Sequence, residues 1–138
     1  MRILALDIGR KHIGLAIGDT GSKLAVTKEV WSHYTNEQLK QKIQETITKD
    51  QIEKIIVGKP LDEKGNPTQE TFFIEAKVKD IEKYTGQKVV FVDERFTTAA
   101  YHAEWKSGAQ KTKQNRDDAQ AARILLQNYL DTYDQQTP

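Results

Sequence analysis

Two short, uninterrupted apolar runs constrain this chain more than any other feature. Ile55-Ile56-Val57 sits between Lys54 and Gly58, and Val89-Val90-Phe91-Val92 runs straight into Asp93-Glu94. Runs of this length with no polar alternation read as strands covered on both faces. The segment between them, from about 69 to 84, has helical spacing, with Phe73, Ala76, Ile81 and Tyr84 as inward positions and Gly86 as its stop. Buried strands separated by a helix call for a sheet with helices packed on it.

The residues before these runs have a different period. Residues 2–7 read as a strand, Gly9-Arg10-Lys11-His12 as a turn, and 13–19 as the returning hairpin strand. A second turn at Asp19-Thr20-Gly21-Ser22 leads to a third strand over 24–31. Leu39, Ile43 and Ile47 then fall four apart in a polar background, which is one face of a helix beginning after Asn36. Downstream, 53–58 and 88–94 are the buried strands and 61–68 is a loop. A third helix is predicted over 98–106, a mobile loop follows it, and a last helix spans 116–132. Residues 133–138 read as a frayed tail. The order βββ-α-β-α-β-α-α implies one α/β domain over residues 1–138. Its expected architecture is a mixed five-stranded sheet, an antiparallel trio plus two parallel strands, with helices on both faces.

Composition removes several function classes. No run approaches the ~20 apolar residues of a membrane span, and Met1-Arg2 is not followed by the apolar core and cleavage site of a signal peptide. There is no cysteine, so disulfides and thiolate metal sites are excluded. A cytoplasmic protein is expected, without membrane contact. The net charge is +1, so any nucleic-acid surface must come from local clustering of cations.

The acids raise the functional question. Asp7 ends a strand as apolar as Ile3-Leu4-Ala5-Leu6, Asp93 and Glu94 end the fifth strand, and Asp117 and Asp118 open the last helix. A carboxylate beside buried sequence is costly unless paired or holding a metal, and strand ends are where α/β sheets place ligand sites. Strand alternation points Asp93 and Glu94 to opposite faces but does not say which faces a site. Helical spacing says more. Ala121, Ala122, Leu125 and Tyr129 follow Asp118 at +3, +4, +7 and +11, whereas the same offsets from Asp117 give a mixed stripe. Asp118 is therefore the inward acid. The bland alternatives are a turn former for Asp7, helix-dipole and capping roles for Asp117 and Asp118, and a turn or supporting acid for Asp93.

The segments LALDIGRKHIGLAIGD, IIVGKPLDEKG, VVFVDERFTT and DDAQAARILLQNYLD occur in this order across nearly the whole chain. Together they resemble the YqgF family, described as pre-16S rRNA nucleases and earlier as Holliday-junction resolvases. The resemblance implies an RNase H-like fold and an acidic triad of Asp7, Glu94 and Asp118; the choice of Glu94 over Asp93 rests on it alone. It further implies Mg²⁺ or Mn²⁺, two ions held by the three carboxylates, with Asp7 bridging and the other two holding one each by analogy with the fold. Two hard cations can activate water and shield a phosphoryl group in an in-line displacement. Arg10, Lys59 and Ala119-Gln120 depart from the family's usual pattern, and none of them belongs to the triad.

Cations cluster around these acids. Arg10 and Lys11 follow Asp7, Arg95 adjoins Glu94, and Lys106, Lys111, Lys113 and Arg116 lead to Asp118. They are candidate phosphate contacts, against the plain reading of solvated surface lysines. His12 reads as a turn residue, and Trp31 and Trp105 as packing residues. Thr97 and Thr98 read as caps of the third helix. His33 and His102 have no partner spacing. The expected substrate is the 5′ end of pre-16S rRNA, alone or in a ribosomal precursor particle. The alternatives are branched DNA and, without catalysis, an RNA-binding assembly module. Monomer and homodimer both remain open. An actin-like nucleotide-hydrolysing protein also places Asp-x-Gly after a strand, but it needs two lobes, which 138 residues cannot supply.

Overall fold

The computed structural model describes residues 1–94 and 114–133, with side chains described for all of these except 114–119. Among the described residues, five strands form one sheet: β1 (Arg2–Ile8), β2 (His12–Asp19), β3 (Leu24–Ser32), β4 (Lys54–Lys59) and β5 (Val89–Asp93). Among the described residues, three helices accompany them: α1 (Asn36–Asp50), α2 (Gln69–Thr85) and α3 (Gln114–Asp131). The strand order is β3-β2-β1-β4-β5. β1, β2 and β3 pair antiparallel, while β4 pairs parallel with both β1 and β5. The mixed five-stranded sheet expected from the sequence is thus observed. The helix expected over 98–106, with Thr97, Thr98, His102 and Trp105, lies outside the described residues, as does the tail beyond 133.

Local chemistry sets the element ends. Thr35 caps α1 with a reciprocal bond to Gln38, and Gln51 closes it in a left-handed conformation at φ 55°. Thr68 and Thr71 form the corresponding box at the start of α2, and Gly86 ends that helix at φ 71°, where a side chain would be strained. The buried Thr71 hydroxyl also donates to the Pro60 carbonyl, tying α2 to the chain leaving β4. The tight connection between β1 and β2 closes with Ile8 opposite Ile13, and the Gly9 N–H donates to the His12 carbonyl at 2.8 Å. His12 accordingly begins β2 instead of sitting in the turn.

Each face of the sheet has its own core. Leu4, Leu6 and Ile8 of β1 and Ile55 and Val57 of β4 pack under α1 and α2, with Leu39, Ile43, Ile74, Val78 and Ile81 above them. On the other face, Ile3, Ala5, Ala16, Ala25 and Ile56 meet Ala122, Leu125, Leu126, Tyr129 and Leu130 of α3. One expectation fails here. Ala76 is exposed, and the buried stripe of α2 is Thr71, Ile74, Val78 and Ile81, with Phe73 and Tyr84 only partly covered. The large Phe73 ring drew the sequence reading one position around the helix. The true stripe includes a buried threonine that a hydrophobicity pattern does not register.

Small residues let α3 approach β2. A Cβ placed on Gly18 would stand 2.9 Å from Leu130 Cδ1, 3.0 Å from Leu126 Cδ2 and 3.0 Å from the Leu24 carbonyl. Gly18→Val is therefore expected to cost about 1–3 kcal/mol through overpacking, read as a lower midpoint in urea unfolding at unchanged slope. A midpoint equal to wild type would mean that α3 does not press on β2 here.

Candidate active site

Strand parity selects the residues that meet. β1 sends Ile3 and Ala5 toward α3 and Leu4, Leu6 and Ile8 toward α1 and α2, so Asp7 belongs to the α3 face. In β5, Val90 and Val92 pack with the α3 core and Phe91 with the other, so Glu94 follows onto the same face as Asp7 and Asp93 falls on the opposite one. The alternation that left Asp93 and Glu94 undecided in the sequence is resolved once each face has a helix assigned to it. Ile3, Leu4 and Leu6 are fully buried, and at about 1.5–3 kcal/mol per side chain their burial outweighs the cost of carrying Asp7 into a partly covered position.

Asp7 and Glu94 form a pair. The Asp7 carboxyl sits well above its ordinary value of 3.8, first because burial disfavours its charge, then through a hydrogen bond shared with Glu94 and repulsion from the Glu94 charge. The two carboxyls thus stand within hydrogen-bonding reach of each other. Glu94 lies directly against Gly58 of β4, where a Cβ would stand 3.4 Å from its Cδ and Oε1. Among the described residues no three acidic or imidazole side chains converge as a metal site would require. Asp118 lies in α3, four, seven and eleven residues before the buried Ala122, Leu125 and Tyr129, which are the intervals of a single helical stripe. Its side chain is outside the described set.

A cleft of about 320 Å³ opens beside Asp7, lined also by Gly9, Arg10, Lys11, His12 and Glu70. Arg10 Nε donates to Glu70 Oε1 at 2.8 Å, and its guanidinium lies 4.6 Å from the centre of the Phe73 ring. Lys11 is exposed. His12 Nδ1 is 2.6 Å from Ser32 Oγ, and its ring meets that of His33 edge-on at 6.3 Å. Lys59, which departs from the family pattern, points to the other face: its ammonium is 3.3 Å from Glu75 and 5.0 Å from the Phe91 ring. That departure leaves the acidic pair untouched. Trp31 packs against the core, with the Lys42 ammonium 5.2 Å from its ring. Arg95, Lys106, Lys111 and Lys113 lie outside the described residues, as does the side chain of Arg116.

Sequence reasoning passed over three residues of this region. Tyr34 donates its hydroxyl to the Gly9 carbonyl at 2.9 Å, pinning the turn that follows Asp7, and burial pushes its phenol up so that it stays a donor. Glu70 answers Arg10 from the first turn of α2. Gly58 was legible only as a strand boundary. None of these carries a local signal, because each acts across a contact distant in sequence.

The arrangement can be set beside known proteins. A model of the family described as "RuvX: Holliday junction resolvase" matches residues 1–132. A protein of Dictyoglomus turgidum named "Putative pre-16S rRNA nuclease" is 34% identical over 134 residues, covering 96% of this chain and 95% of the relative. One of the same name from Mycoplasmopsis synoviae is 32% identical over 139 residues, covering 96% and 99%. Among solved structures, T. thermophilus RuvC in complex with Holliday junction substrate superposes with a TM-score of 0.63 at 15% identity, covering 99% of this chain and 96% of that one. The fowlpox virus resolvase with its junction DNA gives 0.57 at 14%, covering 96% and 99%. These structures share the RNase H-like fold.

Proposed function

The chain belongs to the RuvX family, and from that premise we propose that it is a cytoplasmic, divalent-metal-dependent nuclease that processes the 5′ end of pre-16S rRNA during ribosome biogenesis. The observation that carries the reading is the Asp7–Glu94 pair, held together at the ends of strands β1 and β5 on the face that α3 covers. A module that only bound RNA would gain nothing from acids turned toward phosphates. A hydrolase of phosphodiesters needs such a cluster.

The donor chemistry fits hard cations. Asp7 and Glu94 offer carboxyl oxygens alone, and burial together with the neighbouring Glu94 charge makes a negative Asp7 unfavourable without a counter-charge. Mg²⁺ or Mn²⁺, two ions in this reading, would supply an activated water and neutralise charge building on the phosphoryl oxygens. Asp7, Glu94 and Asp118 are the residues assigned to hold them. Lys11 and Arg10 border the cleft beside Asp7 and are assigned to the substrate's phosphates, together with Arg95, Lys106, Lys111, Lys113 and Arg116. The Arg10–Glu70 pair is about half exposed on both sides; such pairs are worth about 0–1 kcal/mol, so a phosphate can take the guanidinium from Glu70 at little cost.

Purified protein incubated with a small-subunit rRNA precursor, and separately with a four-way DNA junction, tests the reading. Each substrate is run with Mg²⁺, with Mn²⁺ and with chelator, beside Asp118→Asn. The expected result is metal-dependent cutting of the precursor that Asp118→Asn abolishes. Cutting of the junction alone, which the family's description supports as the second reading, would overturn the RNA substrate. Cutting in chelator would overturn the mechanism.

A further inference from the structure

We propose that Gly58 is a positioning residue: the missing side chain at this point of β4 leaves the space through which Glu94 reaches Asp7. The inference rests on the reading of Asp7 and Glu94 as the catalytic pair. β4 lies between β1 and β5 in the sheet. With neighbouring strands about 4.8 Å apart, the outer two are separated by roughly twice that distance, and a side chain from one meets a side chain from the other only by leaning across the strand between them. The register brings Gly58 to the crossing point. Leu6 pairs with Val57, which sets Asp7 beside Gly58, and Gly58 pairs with Val92 on the other side.

Gly58 shares the α3 face with Asp7, because Ile56 two residues earlier packs in that core. A Cβ there would stand 3.4 Å from Glu94 Cδ, 3.4 Å from Oε1 and 3.5 Å from Cγ. One methyl group therefore fits in ordinary van der Waals contact. A branched side chain carries two further atoms about 1.5 Å beyond that Cβ, in a space that Glu94 already borders. The backbone gives no other reason for glycine, since Gly65 and Gly86 are the glycines with positive φ among the described residues and Gly58 is not one of them. The three positions before it, Ile55, Ile56 and Val57, are all β-branched. Glycine weakens a strand interior and commonly marks a close approach by another group; here that group is a carboxylate.

The substitutions Gly58→Ala and Gly58→Val separate positioning from stability, because valine favours strands. In Gly58→Val, kcat on the rRNA precursor is expected to fall about 100-fold, the cost of misplacing a reacting group by on the order of 1 Å, with KM little changed. Its melting temperature in chelator is expected to equal or exceed that of wild type, while the rise in melting temperature on adding millimolar Mg²⁺ or Mn²⁺ is lost. Gly58→Ala is expected to keep most of both. If Gly58→Val fails to fold, Gly58→Ser, one atom larger than alanine, is read against Gly58→Ala in the same way. Wild-type kcat and wild-type metal stabilisation in the larger variant would overturn the proposal. So would a loss of kcat that only follows a loss of thermal stability in chelator. Asp7→Asn and Glu94→Gln run alongside: if both cut normally, the catalytic reading itself falls, whereas if both are inactive and Gly58→Val is not, only the role of Gly58 falls.

Discussion

Asp7→Asn is expected to lower the rate of phosphodiester cleavage by at least about 1,000-fold, equivalent to ~4 kcal/mol of transition-state stabilisation. Asp7 is the one candidate acid on the central strand, fixed by the burial of Ile3, Leu4 and Leu6 and partnered directly by Glu94. An amide keeps the size but supplies one neutral oxygen donor where a hard cation needs charge. Metal binding should fail with the chemistry. Millimolar Mg²⁺ or Mn²⁺ is expected to raise the melting temperature of wild type by mass action and to leave that of Asp7→Asn unmoved. Equal shifts in the two proteins, or a variant that still cuts at more than a few per cent of the wild-type rate, would remove Asp7 from the mechanism.

The same substitution is expected to stabilise the metal-free protein, and only above acid pH. The Asp7 carboxyl lies well above its ordinary 3.8 when folded, chiefly through burial. Between 3.8 and the folded value, the folded state keeps a proton that the unfolded chain has released. Stability therefore falls as pH rises through that window, and the full penalty applies above it. Below 3.8 both states are protonated and the penalty disappears. The amide side chain cannot ionise, so Asp7→Asn should melt a few degrees higher than wild type at neutral pH in chelator, a gain of about 0.5–2 kcal/mol, typical of relieving a strained functional site. The difference should shrink toward zero near pH 3.5. Melting curves of both proteins from pH 3.5 to 8 check this, and a difference that does not change with pH would mean that Asp7 carries no burial penalty.

Much of the fold was legible because its signals are local. The strands over 2–7, 13–19 and 24–31 and the helices after Asn36 and from Gln69 all stand within a residue or two of the expected bounds, since apolar period and tight turns are written in neighbouring residues. Ala76 was misplaced because the inward stripe of α2 is completed by Thr71, whose burial depends on its bond to Pro60 eleven positions away. Arg10 stood out in the sequence as a cation beside Asp7, but nothing near it showed that Glu70 and Phe73 would hold its guanidinium. Helical spacing favours Asp118 over Asp117 as the inward acid because both precede a long amphipathic run, and that choice remains an expectation, since both side chains lie outside the described residues. No such run exists around Asp93 and Glu94, and their order on the two faces waited for the sheet.

By itself the sequence determined which residues alternate, which recur every turn of a helix, and that acids end apolar strands. These properties need only neighbours a few positions away, and they carried the family likeness with them. The meeting of Asp7 with Glu94 across Gly58 was decided by tertiary structure alone. It depends on β4 entering between β1 and β5, and on which face of the sheet α3 covers. Strand order and face are settled by burying two separate cores at once, a balance summed over the whole chain that no single stretch of it contains.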